Sequence, residues 1–265
     1  MYYNSARSQS VMQYQLIYAL LDSYKNALSP VFAINSGSTQ YDLASQQDTA
    51  GLMFSMMLPM LITVFLFSGC MAVAPESIAG EKERGTIATM LVTPLARWEL
   101  ALGKIVALAC IALLSGLSSF IGVMLSIPKL FQTLPEESVA ILYGFSDYAM
   151  LLGVILSTVM IYIGLISILS ALAKTIKEAN TYVMPLMIVI LMVGALGMFS
   201  QGASKEALTY LIPVYNSVQC MVGIFSFAIN PLFIFVTIAT NSLVTATCVI
   251  ILTKMFNSER IVFNR

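Results

Sequence analysis

Five runs of this chain, residues 52–75, 105–127, 149–173, 182–200 and 232–256, are apolar over lengths close to the thickness of a bilayer core. A helix needs about 20 such residues to cross about 30 Å of hydrocarbon, and it must satisfy its backbone polar groups within itself. The runs therefore predict an all-α, polytopic membrane bundle with about five transmembrane helices. Composition points the same way, with 58% hydrophobic and only 10% charged residues and a mean hydropathy of +0.87. A soluble domain carries far more charge.

What charge there is gathers in residues 76–104, which hold eight of the 13 acidic and 13 basic residues. Apolar runs lie on both sides, so this segment must sit in water or among headgroups on one face of the membrane. Within it Ile87, Met90, Leu91 and Leu95 recur at helical spacing, as in a short helix that lays one apolar stripe on the membrane surface. Thr86 is a candidate N-cap after a break at Gly85. Pro94 pushes Thr93 out of helical geometry, and a new helix opens near Arg97. Spacing alone fits a docking surface and a solvated connector equally well.

The residues of this stretch carry a resemblance. Glu81-Lys82-Glu83-Arg84-Gly85-Thr86-Ile87, then Met90-Leu91-Val92-Thr93-Pro94, then Arg97-Trp98-Glu99-Leu100 and Gly103-Lys104 resemble the cytoplasmic signature of type-2 permeases of ATP-binding-cassette exporters. Two positions depart from that pattern: Ala88 stands where an acidic residue is frequent, and Met90 replaces one of a leucine pair. With helix order included, the resemblance covers roughly residues 50–265. The opening Tyr2-Tyr3-Asn4-Ser5 looks most like sodium- or drug-extruding members.

The resemblance implies a membrane subunit that exports a sodium ion, a drug or a lipid-like molecule. It also implies a separate ATPase subunit carrying the ATP and magnesium, a second permease subunit and surrounding lipid. Coupling to the ATPase then falls to Glu76, Glu81, Glu83, Arg84, Gly85, Thr86, Ile87, Met90, Leu91, Thr93 and Pro94, with Arg97, Glu99, Gly103 and Lys104 opening the second span. An outer re-entrant hairpin over 208–229, containing Pro213 and Asn216, is also implied. Its apolar part, 218–229, is about half the length needed to cross, and Pro213, Asn216 and Asn230-Pro231 bound it.

Other chemistry is excluded or weakened by what the chain lacks. It has no histidine, which removes the commonest general base and metal ligand. Cys70, Cys110, Cys220 and Cys248 have no paired short spacing and read as core residues. No Gly-x-x-x-x-Gly-Lys-Ser/Thr occurs, so the chain does not bind ATP by a P-loop and no cofactor is expected on it. With zero net charge and no basic run among aromatics, nucleic acid is not an expected partner. Asp147, Glu136 and Glu137 are the clustered outer carboxylates, and no nucleophile is paired with a base, so a membrane enzyme is the weakest class. No span has an acidic or basic residue in its middle, whereas ion-coupled carriers usually keep one there. A secondary carrier or channel and a non-transporting scaffold remain the rivals to an ATP-driven permease.

Residues 1–50 read as an amphipathic helix carrying Val11, Tyr14, Ile17, Tyr18 and Leu21, followed by a Ser/Gly/Gln-rich loop. Packing and substrate entry are equally open as its role. Methionines 53, 56, 57 and 60 read as lipid-facing or core filling. Residues 128–148 predict a loop in which Thr133 and Glu136 have capping-box spacing. Ser115 with Ser119, and Ser118 with Gly122, predict close helix packing, with a second permease as the expected neighbour. Nine basic residues fall on one side of the five spans and four on the other. The positive-inside rule makes the first side cytoplasmic, so we expect a cytoplasmic C-terminus, an extracytoplasmic residue 1 and a multi-pass protein of the cell (inner or plasma) membrane. The resembling permeases have six spans and begin in the cytoplasm, so a further apolar run of about 20 residues is expected upstream of Met1.

Overall fold

A computed structural model of the chain describes residues 2–28, 41–44, 46–86, 97–130, 143–200, 202–204 and 206–257. Among these residues the chain is helical throughout, with a single isolated bridge between Tyr3 and Asp42 and no strand. It divides into two units, residues 1–54 and 55–265.

The first unit holds α1 (Ser8–Leu28) and the opening turns of α2 (Gln46–Pro75). Tyr3 donates its amide to Tyr41 O (3.0 Å) and accepts from the Leu43 amide (2.7 Å), which brings the approach to α2 beside the approach to α1. Asp42 fixes the join by accepting from the Ser5 (3.1 Å) and Ala44 (2.9 Å) amides. The Ser5 side chain, and after it these two amides, hold the Asp42 carboxyl below the ordinary value of 3.8.

The second unit is a bundle built around α4 (Phe145–Leu172), which packs against α3 (Arg97–Leu130), α5 (Ile176–Phe199), the short α6 (Tyr215–Phe225) and α7 (Pro231–Asn257). Helix α4 is apolar on every face, and fourteen of its residues are buried, as expected for a helix surrounded by others. Where α4 meets α7, a Cβ on Gly164 would lie 2.8 Å from Cys248 Cβ, so only glycine allows that approach. Helix α2 meets α4 through an edge-on contact of Phe67 with Tyr162, 5.5 Å between centroids.

Four helical stretches, Gly51–Glu83, Phe145–Leu172, Ile176–Phe199 and Pro231–Phe256, are long and apolar enough to cross a membrane. The fifth expected span, 105–127, lies within α3, which contains a shorter apolar stretch, Leu102–Ser118. Helix ends differ from the hydropathy limits because caps set them. Helix α4 begins at Phe145 rather than at 149, where the Asp147 carboxylate accepts from the Gly144 amide (2.8 Å). Helix α5 begins at Ile176 rather than 182, because Thr175 Oγ1 accepts from the Glu178 amide (3.2 Å). Helix α3 opens at Arg97 and runs on through Pro128, inside what was expected to be a loop. Thr133 and Glu136 of that loop lie outside the described residues.

Candidate functional site: a charged clasp at one end of the bundle

The helix of α2 does not stop at Pro75. It continues through a π-helical turn, Glu76–Gly80, and a last α turn, Glu81–Glu83, in which Ile78, Ala79 and Gly80 are buried. Part of the expected charged connector is therefore a helical extension packed on the bundle. Small residues permit this, since Ala79 lies in one buried cluster with Ala173 and Ala179 of the α4–α5 turn. A Cβ on Gly80 would meet Ile176 Cδ1 at 3.2 Å. The extension ends at Gly85, whose φ of +75° suits glycine, while its amide donates to Lys82 O (3.1 Å).

Three consecutive charged residues then reach three other elements. Glu81 pairs with Lys104 of α3 at 2.6 Å, and the Lys104 amine also donates to Ser77 O of the π turn (3.2 Å). Side-chain exposures of 10% for Lys104 and 20% for Glu81 place this pair mostly out of water. The Lys82 amine donates to Ala171 O (3.2 Å), one of the last carbonyls of α4. Glu83 Oε2 accepts from the Ile176 amide (3.0 Å), the first of α5. The signs fit the helix dipoles, a cation at the C-terminus of α4 and a carboxylate at the N-terminus of α5. One helical turn thus reads both ends of the α4–α5 turn and the start of α3.

The sequence-selected residues fall into distinct groups. Glu81 and Lys104 are brought together, and Glu83, exposed, reaches the Ile176 amide. Glu76 and Arg84 are exposed. The Thr86 hydroxyl donates to Glu81 O (3.1 Å), and the helix it was expected to cap lies outside the described residues. Glu99 and Gly103 are exposed on α3, and Arg97 is its first residue. Ile87, Met90, Leu91, Thr93 and Pro94 lie outside the described residues. Lys82, which pattern reading had not assigned to coupling, is a full member of the clasp. Its signal was available as a cation one turn before a helix-ending glycine.

At the other end of the bundle the expected hairpin is a 3₁₀ turn, Ala207–Leu211, followed by α6. Eleven residues span about 16 Å, too short to cross. Asn216, at the start of α6, donates to Asn241 Oδ1 of α7 (2.9 Å) and to Tyr210 O (3.3 Å). Asn241 in turn donates to Ser157 Oγ of α4 (3.1 Å) and Ser217 Oγ (3.0 Å). Asn241 sits ten residues into α7, about 15 Å along it, so α6 starts deep in the bundle and runs outward. Pro213 is exposed just before Val214, whose φ of +70° is strained for a β-branched residue. Tyr143 closes this end by donating to Phe225 O (2.9 Å) and stacking on Phe227 at 4.7 Å. Burial raises the Tyr143 phenol above its ordinary value, so it stays a donor at neutral pH. Among the described residues, no group of three or more His, Cys, Asp or Glu could hold a metal ion.

Over residues 1–255 the chain matches the family model described as ABC-2 family transporter protein. It is 28% identical over 232 residues to a protein of Bacillus subtilis (strain 168) described as ABC transporter permease protein NatB. The match takes in 81% of this chain and 58% of that relative, so the chain spans little more than half of the relative's length. No solved structure matches it.

Proposed function

Because the chain belongs to the ABC-2 family of transporter proteins, we propose that it is the membrane-spanning permease subunit of an ATP-driven exporter. ATP is hydrolysed on a separate subunit. The observation that carries the coupling part is the clasp. Residues 87–96 are joined to the α2 extension on one side and to α3 on the other, and the Glu81–Lys104 pair ties these two ends together. Lys82 and Glu83 extend the tie to the α4–α5 turn. A push from the ATPase on 87–96 therefore moves α2, α3, α4 and α5 as one body. Arg84, Lys174 and Lys177 are exposed at this end together with Glu76, Glu83 and Glu99, so the surface offered to the ATPase carries charges of both signs. The excess of basic residues flanking the spans on this side makes it the cytoplasmic one.

The test is whether an ATP-binding-cassette ATPase co-purifies with the tagged chain expressed with its chromosomal neighbours. It should co-purify, and Arg84→Glu should lower its recovery without lowering the amount of permease in the membrane. Transport by the purified chain alone, without any ATPase, would overturn the proposal in favour of a secondary carrier or channel.

A further inference from the structure

We propose that the π turn Glu76–Gly80 is a register switch: the charged clasp holds it wide, and when it tightens to an α turn residues 81–84 rotate by about 100°. Bonds in a π turn run from residue i to i+5 instead of i+4, so the turn holds one residue more than an α turn. The chain beyond it is therefore set back by one residue's rotation. Two features of this segment favour the wide form. Pro75, just ahead of the turn, has no N–H to give to Met71 O, so the α ladder is already interrupted there. The Glu81 amide donates to Ile78 O, and Ser77 O, its partner in a regular α ladder, accepts from the Lys104 amine (3.2 Å). The same amine holds the Glu81 carboxylate at 2.6 Å, so one cation spans the turn from its middle to its end.

The clasp contacts belong to one register only. On tightening, each residue beyond the turn moves to about the place of the next. Glu81 would then face the Ala171 carbonyl that Lys82 now bonds, and Lys82 would face the Ile176 amide that Glu83 now bonds. Gly80 would stand where Glu81 meets Lys104. A carboxylate at the C-terminus of α4 and a cation at the N-terminus of α5 are both of the wrong sign. The two forms thus differ in named contacts, which is what a two-state element requires. The moving piece is short and outward, since Glu83, Arg84 and Gly85 are exposed and Gly85, at a φ of +75°, ends it. Residues 87–96 follow almost directly, so the rotation re-aims the stretch assigned to the ATPase; this last step rests on the proposed function, whereas the rotation itself does not.

The test is pulsed electron paramagnetic resonance on the full chain in detergent, without any ATPase. One spin label sits at Arg84→Cys and the other at Gly103→Cys or Lys177→Cys, all exposed positions, with Cys110→Ser as background. With the clasp intact, each pair should give one narrow distance. Lys82→Met, Glu83→Gln and Lys104→Met together should add a second narrow distance in at least one pair. Its displacement should reach up to about 8 Å, the travel of a side chain on a helix surface through about 100°. Deleting Glu76 from that clasp-free chain removes the extra residue and leaves 81–84 in their present register, so the second distance should vanish and the first return. Unchanged distances in the clasp-free chain would overturn the proposal. So would a featureless broadening that the deletion does not remove, which marks a frayed helix end. If the shortened chain does not accumulate, the clasp-free chain decides alone, a second narrow distance supporting the switch and broadening refuting it.

Discussion

Glu81 and Lys104 are mostly withdrawn from water, so their pairing should be worth more than that of two surface charges. Glu81→Gln, Lys104→Gln and the double variant, compared by thermal unfolding in detergent, should give a coupling of about 1 kcal/mol. Exchanging the charges, Glu81→Lys with Lys104→Glu, should recover part of the loss. Zero coupling would mean that the pair does not form. Asp42 makes a separate prediction. Its folded-state pKa is depressed, so its contribution is fully present above the ordinary 3.8 and is lost as pH falls through the lower folded value. The protection of the Ser5 and Ala44 amides, taken relative to the intrinsic exchange rate at each pH, should thus be constant above 3.8 and fall on acidification through the folded value. In Asp42→Ala both amides should lack that protection at every pH. Residue types at the clasp were legible in the sequence, but their partners were not. Glu83 and Lys82 bond to a backbone amide and a carbonyl about 90 positions away. Those groups are free only because α4 ends and α5 begins there; hydropathy placed the end of α4 within one residue, at 173, but the start of α5 at 182 instead of Ile176.

The hairpin shows the same division at the level of an element. Its existence followed from an apolar run too short to cross, bounded by Pro213, Asn216 and Asn230-Pro231. Its depth did not follow, because it depends on Asn241, which nothing in the pattern of this 27-residue helix sets apart from its threonines and Ser242. Asn216→Leu should strand buried donors and acceptors of Asn241 and Ser217, costing about 1–3 kcal/mol. Adding Asn241→Leu should cost less than the sum, because the two changes remove the same bond. Additivity in thermal unfolding would contradict the network. Val214 is buried, so Val214→Gly loses its packing but relieves the positive φ, and it should destabilise less than Val214→Ala, which keeps the strain. A lower unfolding midpoint for the glycine variant than for the alanine variant would refute the strained turn.

For the whole molecule, the number and order of apolar runs made the polytopic all-α bundle legible before any coordinates. Assembly was less so. Side chains of Ser115, Ser119 and Gly122, proposed to meet a second permease, lie outside those described. The neighbouring Gly116 is used within the chain, where a Cβ would lie 2.1 Å from Leu66 Cδ2. The central claim is that the clasp makes α3 and the α4–α5 turn move together. The most direct measurement is the distance between spin labels at Gly103→Cys and Lys177→Cys, both exposed positions, in the complete transporter with Cys110→Ser as background. With the clasp intact, ATP and vanadate should leave one narrow distance distribution unchanged. In Lys82→Met with Glu83→Gln, nucleotide should broaden or shift it while ATPase recovery stays the same. Identical distributions in the two proteins, or a nucleotide-driven shift with the clasp intact, would contradict the account.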